Sequence, residues 1–157
     1  MFEGEASESG GYPHGKHLYI WCVAWKYCCV IVSADADGKV EDLLPQPFSA
    51  RSSCHEYGGA SYCLDGDDIY FINGADQGVY RLTQGSSEPQ PIALCPQGYW
   101  RYTDMIIDSS RQRIICVAEN HREKNLKQKE EDQNFIVAID LGEPSSHSET
   151  PSNPIEQ

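Results

Sequence analysis

The sequence holds no uninterrupted apolar run of about 18 residues, so no segment reads as a membrane span. Its first residues, Met1-Phe-Glu-Gly-Glu-Ala-Ser-Glu, are acidic and polar. A secretory signal needs a basic start and an apolar stretch, and neither is there, so a cytoplasmic protein is expected. Basic residues are scarce: 12 Lys and Arg face 24 Asp and Glu, for a net charge of −12. Such a surface repels phosphate backbones and anionic lipid, which argues against nucleic-acid and membrane partners. No Cys-x-x-Cys pair, no His-x-x-x-His spacing and no complete acidic calcium loop occurs, so no metal or cofactor is expected. No Gly-x-Ser-x-Gly pentapeptide occurs either, and a hydrolase needs that strained turn to expose its nucleophilic serine.

What is present points to sheet. Nine Tyr, three Trp and four Phe favour strands, and 13 Gly with nine Pro supply turns. Seven cysteines in a chain without an export signal read as reduced thiols serving as small hydrophobes. Short apolar runs alternate with Gly, Asp, Asn and Pro, and predict strands over 17–21, 28–34, 59–64, 67–73, 77–83, 88–94, 102–107, 112–119 and 134–141. Residues 1–15 and 142–157 are rich in Ser, Gly, Glu and Pro and are expected to be disordered or linkers, leaving 16–141 as the folded part. The polar segment 121–133 has no apolar stripe and reads as a solvated insertion.

The strands repeat. His17-Leu-Tyr-Ile-Trp21, Asp67-Asp-Ile-Tyr-Phe71 and Gln112-Arg-Ile-Ile-Cys116 are similar, and each is followed by a second apolar strand and then a glycine, at Gly38, Gly85 and Gly142. A period of roughly 45–55 residues with about four strands per unit is the pattern of a β-propeller, with a β-sandwich as the competing architecture. The fold class expected is therefore all-β, a partial antiparallel propeller of about two to three blades. The first unit lacks an inner strand and the third an outer one. Closed propellers need about four to eight blades, so the missing ones would be supplied in cis or in trans.

Arg51-Ser-Ser-Cys-His55-Glu-Tyr-Gly-Gly-Ala60 resembles a segment of the N-terminal propeller of prolyl oligopeptidase-like serine peptidases, the acylaminoacyl-peptidase and dipeptidyl aminopeptidase type. The stretches 34–45, 67–82, 101–104 and 113–121 are similar to further parts of that propeller in the same order. The likeness spans about residues 30–141 and fades at 22–29, where this chain is aromatic and Cys-rich. The resemblance implies a non-catalytic propeller that gates peptide access to a hydrolase domain. That domain, which would carry the catalytic Ser, Asp and His, is not in this sequence. Its expected partners are the remaining blades, the hydrolase domain and peptides. A stand-alone interaction module that pairs through strand edges is the alternative.

The densest polar cluster is Arg51, His55, Glu56 and Tyr57. As a substrate site, Glu56 would bind an amine, Tyr57 orient a carbonyl and Arg51 hold a carboxylate by two hydrogen bonds. As structure, Tyr57 packs between blades while His55 and Glu56 satisfy backbone groups, and Gly58 and Gly59 allow crowding. Arg101 and Asp104 read as an inter-blade clamp. Asp35-Ala-Asp-Gly38 begins like a calcium loop but lacks its later carboxylates and reads as a hairpin turn. Gly10-Gly-Tyr-Pro-His-Gly15-Lys16-His17 misses the hydroxyl residue and the following helix of a phosphate loop.

Overall fold

The computed structural model describes residues 17–23, 28–56, 58–95, 98–121 and 133–142, with backbone only at 17–23 and at 28. The expected disordered tails, the 121–133 insertion beyond His121, the phosphate-loop near miss and Tyr57 lie outside the described residues.

The described chain is all-β: β1 (His17–Val23), β2 (Cys28–Ala34), β3 (Val40–Asp42), β4 (Tyr62–Asp65), β5 (Asp68–Ile72), β6 (Val79–Thr83), β7 (Gln90–Ala93), β8 (Trp100–Asp108), β9 (Arg113–Asn120) and β10 (Gln133–Asp140). A 3₁₀ turn at Ser109–Arg111 joins β8 to β9. No helix among the described residues is long and apolar enough to cross a membrane. The strands form three antiparallel sheets in the orders β1-β2-β3, β4-β5-β6-β7 and β10-β9-β8. Every neighbour in a sheet is also the neighbour in sequence, so each sheet is a simple meander. The counts of three, four and three strands agree with a first and third unit each one strand short. One strand escaped the sequence: Val40–Asp42 is exposed throughout and carries no burial signal. The strand expected from residue 59 begins at Tyr62: Ser61 still accepts the Ile72 N–H of β5, but Ala60 turns to accept the Asp104 N–H of the next sheet.

Turns follow local chemistry. Asp65 pairs with Asp68, leaving a two-residue loop in which Gly66 takes φ 58°, a backbone that only glycine adopts without strain. Between β2 and β3, the Asp35 carboxylate accepts the backbone N–H groups of Asp37 at 3.1 Å and Lys39 at 2.9 Å, so it closes a turn. At the β8–β9 turn Asp108 accepts from Ser110 at 2.6 Å and pairs with Arg111 at 3.3 Å and Arg113 at 3.0 Å.

The middle sheet explains why β5 reads as an unbroken apolar run. Side chains alternate across a strand, so a strand covered on both faces has no polar side. Ile69 and Phe71 point to one face, where they pack with Ile31 of β2, Leu44, Ala50, Tyr62 and Leu82. Tyr70 and Ile72 point to the other, where they join Cys63, Val79 and Cys95 against Tyr102, Met105, Ile114, Cys116, Ala118, Val137 and Ile139 of the third sheet. Phe48, Phe71 and Tyr80 stack in a ring trio with centroids 5.2–5.9 Å apart. Each such pair contributes about 0.5–1.5 kcal/mol beyond area burial. Three sheets therefore stack face to face. The outer face of the third carries Ile106 and Ile136, both more than half exposed, in register with Ile115 and Val117.

The cysteines divide. Cys54, Cys63, Cys95 and Cys116 are buried free thiols, as the sequence suggested. Cys29 is not: it takes part in a disulfide, and the residue directly across the ladder from it is Cys22.

Candidate functional site

The segment from 49 to 61 carries the singled-out residues and crosses the junction between the second and third sheets. Ala50 bridges Asn73, and the Arg51 N–H donates to the Ile72 carbonyl at 2.9 Å. Gln77, itself buried at φ 59°, fixes the next residues: its amide donates to the Arg51 and Gly74 carbonyls at 3.3 and 3.2 Å, and its carbonyl accepts the Ser53 N–H at 2.8 Å. The Ser52 hydroxyl donates to the Tyr102 carbonyl on β8 at 2.5 Å. A tight turn follows, with the Gly58 N–H donating to the Cys54 carbonyl at 2.8 Å.

Within this turn His55 and Glu56 take φ 51° and 62°. Two successive left-handed residues that are not glycine cost roughly 1–3 kcal/mol each and are held only by surrounding contacts. The main hold is Glu119, near the end of β9, whose carboxylate is almost fully buried. Its Oε2 accepts the His55 backbone N–H at 3.1 Å and lies 2.7 Å from His121 Nε2. Its Oε1 lies 3.3 Å from His55 Nδ1. The Arg101 guanidinium stands 4.0 Å from Oε2 and donates to the Ser53 carbonyl at 3.0 Å. The Cys54 thiol sits beside this group. Burial first, and then the Glu119 charge, push its pKa up from 9.0 to about 11, so it is a protonated, unreactive thiol at neutral pH.

The glycines permit the close crossing. A Cβ on Gly59 would collide with Thr103 Oγ1, and one on Gly58 would lie 2.9 Å from the Ser52 carbonyl oxygen, at a φ of 79°. Beyond them the Ala60 N–H donates to Asp104 Oδ1 at 2.9 Å and the Asp104 N–H to the Ala60 carbonyl at 3.0 Å.

The structure thus gathers His55 and Arg101 around Glu119, with the Asp104 charge also acting on the Cys54 thiol, and leaves Arg51 and Glu56 apart from that group. Arg51 and Glu56 have exposed side chains. Among the described residues no ion pair joins Arg101 to Asp104; each instead reaches across the junction to a backbone group of the 53–60 segment. A register shift in β8 between Thr103 and Ile106 breaks simple alternation there, so that Tyr102 and Met105, three apart, both face the core shared with the middle sheet. Sequence reasoning missed Cys54, Glu119 and His121 as site residues. A charged residue inside the apolar run of β9 was the available signal, since a buried carboxylate requires partners.

A cleft of about 230 Å³ between the first and middle sheets, lined in part by Ser33, Glu41, Ile69 and Thr83, contains none of these residues. It is smaller than the roughly 300–1,000 Å³ typical of ligand pockets.

No family model matches the sequence, and no curated protein matches it significantly. Solved structures do match. A puromycin-hydrolysing peptidase from Mycobacterium tuberculosis superposes with a TM-score of 0.65 and 25% identity, over 81% of this chain and 20% of that one. A puromycin hydrolase does so with a TM-score of 0.64 and 23% identity, over 87% and 22%. The chain spans about a fifth of the length of these structures. Joined to the resemblance carried by residues 34–45, 51–60, 67–82, 101–104 and 113–121, this makes the chain similar to part of a peptidase of the prolyl oligopeptidase family.

Proposed function

We propose that this chain is a propeller segment of a prolyl oligopeptidase-like serine peptidase, without catalytic machinery of its own, that gates peptide access to a hydrolase domain. The observation that carries the reading is the middle sheet, covered on both faces by sheets of the same meander topology. A β-sandwich has two sheets and one core, whereas blades stack in series and generate a core at every junction. The outer face of the third sheet, with Ile106 and Ile136 exposed, is the surface on which a further blade would lie. The polar group around Glu119 then acts first as an inter-blade tie, not as a substrate site.

Gating is tested by complementation. A puromycin-hydrolysing peptidase lacking the fifth that this chain matches is mixed with the purified chain, and cleavage of short and long fluorogenic peptides is compared. The expected result is a complex that rejects the long peptides, with no hydrolysis by the chain alone. Unchanged cleavage of both lengths despite complex formation would overturn the gating role.

The same exposed apolar face also favours the second reading, a stand-alone module that binds a partner protein. Under that reading the chain binds no truncated peptidase and melts cooperatively on its own.

A further inference from the structure

We propose that Cys54, His55 and Glu119 form a binding site for one divalent transition-metal ion of the zinc class. One donor atom from each residue lies within 4.8 Å of the other two. A tetrahedral ion bound at about 2.0–2.1 Å to nitrogen and oxygen and about 2.3 Å to sulfur sets its donors roughly 3.3–3.6 Å apart. His55 Nδ1 and Glu119 Oε1 already stand 3.3 Å apart. The sulfur, at most 4.8 Å from the other two donors, needs to close by no more than about 1.5 Å to complete that geometry.

The two oxygens of Glu119 have separate work. Oε2 takes the His55 N–H, the His121 ring and the more distant Arg101 guanidinium. Those contacts fix the carboxylate, as outer partners do around metal ligands generally. Oε1 is left facing the imidazole, 3.3 Å from Nδ1. A thiolate, an imidazole and one carboxylate suit zinc or cobalt and disfavour magnesium and calcium, which take oxygen donors. The ion replaces the proton on Cys54, so one proton leaves as the metal–sulfur bond forms. His55 is 45% exposed, which leaves a solvent-side approach and a fourth position for water. Because Cys54 and His55 precede the middle sheet while Glu119 lies on β9, the ion would fasten two sheets together.

Cobalt(II) is the probe, titrated into the reduced full chain, followed by zinc(II) as competitor. The expected result is one cobalt per chain, a tetrahedral visible spectrum with a thiolate-to-cobalt charge-transfer band, displacement by zinc and a raised melting temperature. Cys54→Ser should remove the charge-transfer band. Should that variant fail to fold, His55→Asn carries the test. Its side chain is nearly half exposed, so circular dichroism should be unchanged while cobalt affinity falls at least about tenfold. Absence of cobalt binding, a weak octahedral spectrum, or a band that persists in Cys54→Ser would overturn the proposal.

Discussion

Glu119 accepts the backbone N–H of His55 at 3.1 Å, across 64 residues of chain. This bond ties a strained turn before the middle sheet to the end of β9 in the next sheet. A buried carboxylate that loses its partners, or partners that lose the carboxylate, would leave polar groups unsatisfied at the junction.

Replacing Glu119 with Ala therefore costs more than a surface mutation. A hydrogen bond to a charged group contributes about 1.5–3 kcal/mol, and the His55–Glu56 backbone strain loses its restraint. The urea midpoint should fall by a corresponding amount. A control at Glu56, whose side chain is exposed, should stay within about 0.5 kcal/mol of the parent when changed to Gln.

Gly59→Ala should destabilise by about 1–3 kcal/mol, because the added methyl meets Thr103 Oγ1 across the junction and one backbone must yield. Thr103 is itself buried and its hydroxyl has no partner among the described residues, so Thr103→Ala in the same chain opens the space the methyl needs. Melting temperatures of the two single variants and the double variant check this: the double should be more stable than the sum of the singles predicts.

Alkaline pH should weaken the fold. Burial is the leading cause that pushes the thiols of Cys63 and Cys116 up from 9.0 to about 12, and that of Cys95 to about 11. In the unfolded chain these groups lose their protons near pH 9, while the folded chain retains them. The unfolded state then binds fewer protons, so stability falls as pH rises from about 9 towards 12. Urea midpoints measured along that range should decline steadily. The same thiols should resist a thiol reagent until denaturant is added.

Phe71→Ala should abolish folding or cost about 3–5 kcal/mol, since Phe71 is fully buried and contacts both Phe48 and Tyr80. Circular dichroism and a thermal melt check it.

How much of this was legible in the sequence differs by element. The apolar run of β5 and the Asp-Gly turn before it were readable, because two-sided burial and a tight hairpin each leave a local mark. The edge strand β3 was not, since nothing in Val40–Asp42 is buried. The expected strands fell into units of two, four and three, and the observed sheets have three, four and three because β3 was not foreseen. The site was half visible. His55 and Arg101 stood out as a motif, but their common partner Glu119 lies on another sheet and only pairing of the sheets unites them. Arg101 and Asp104 read as residues of the junction between units, but the groups they reach, the Ser53 carbonyl and the Ala60 N–H, are set by the pairing of the sheets. Cys54 read as a small hydrophobe, and its neighbours alone give it a second chemistry.

The central claim is that this chain is one segment of a larger peptidase propeller, with the outer face of its third sheet made to be covered. The measurement is calorimetric titration of the chain into a puromycin-hydrolysing peptidase that lacks the matched fifth. Saturable one-to-one binding with a negative heat-capacity change is predicted, lost in Ile106→Asp while the melting temperature of the isolated chain stays unchanged. No binding, or binding that Ile106→Asp leaves intact, would contradict it.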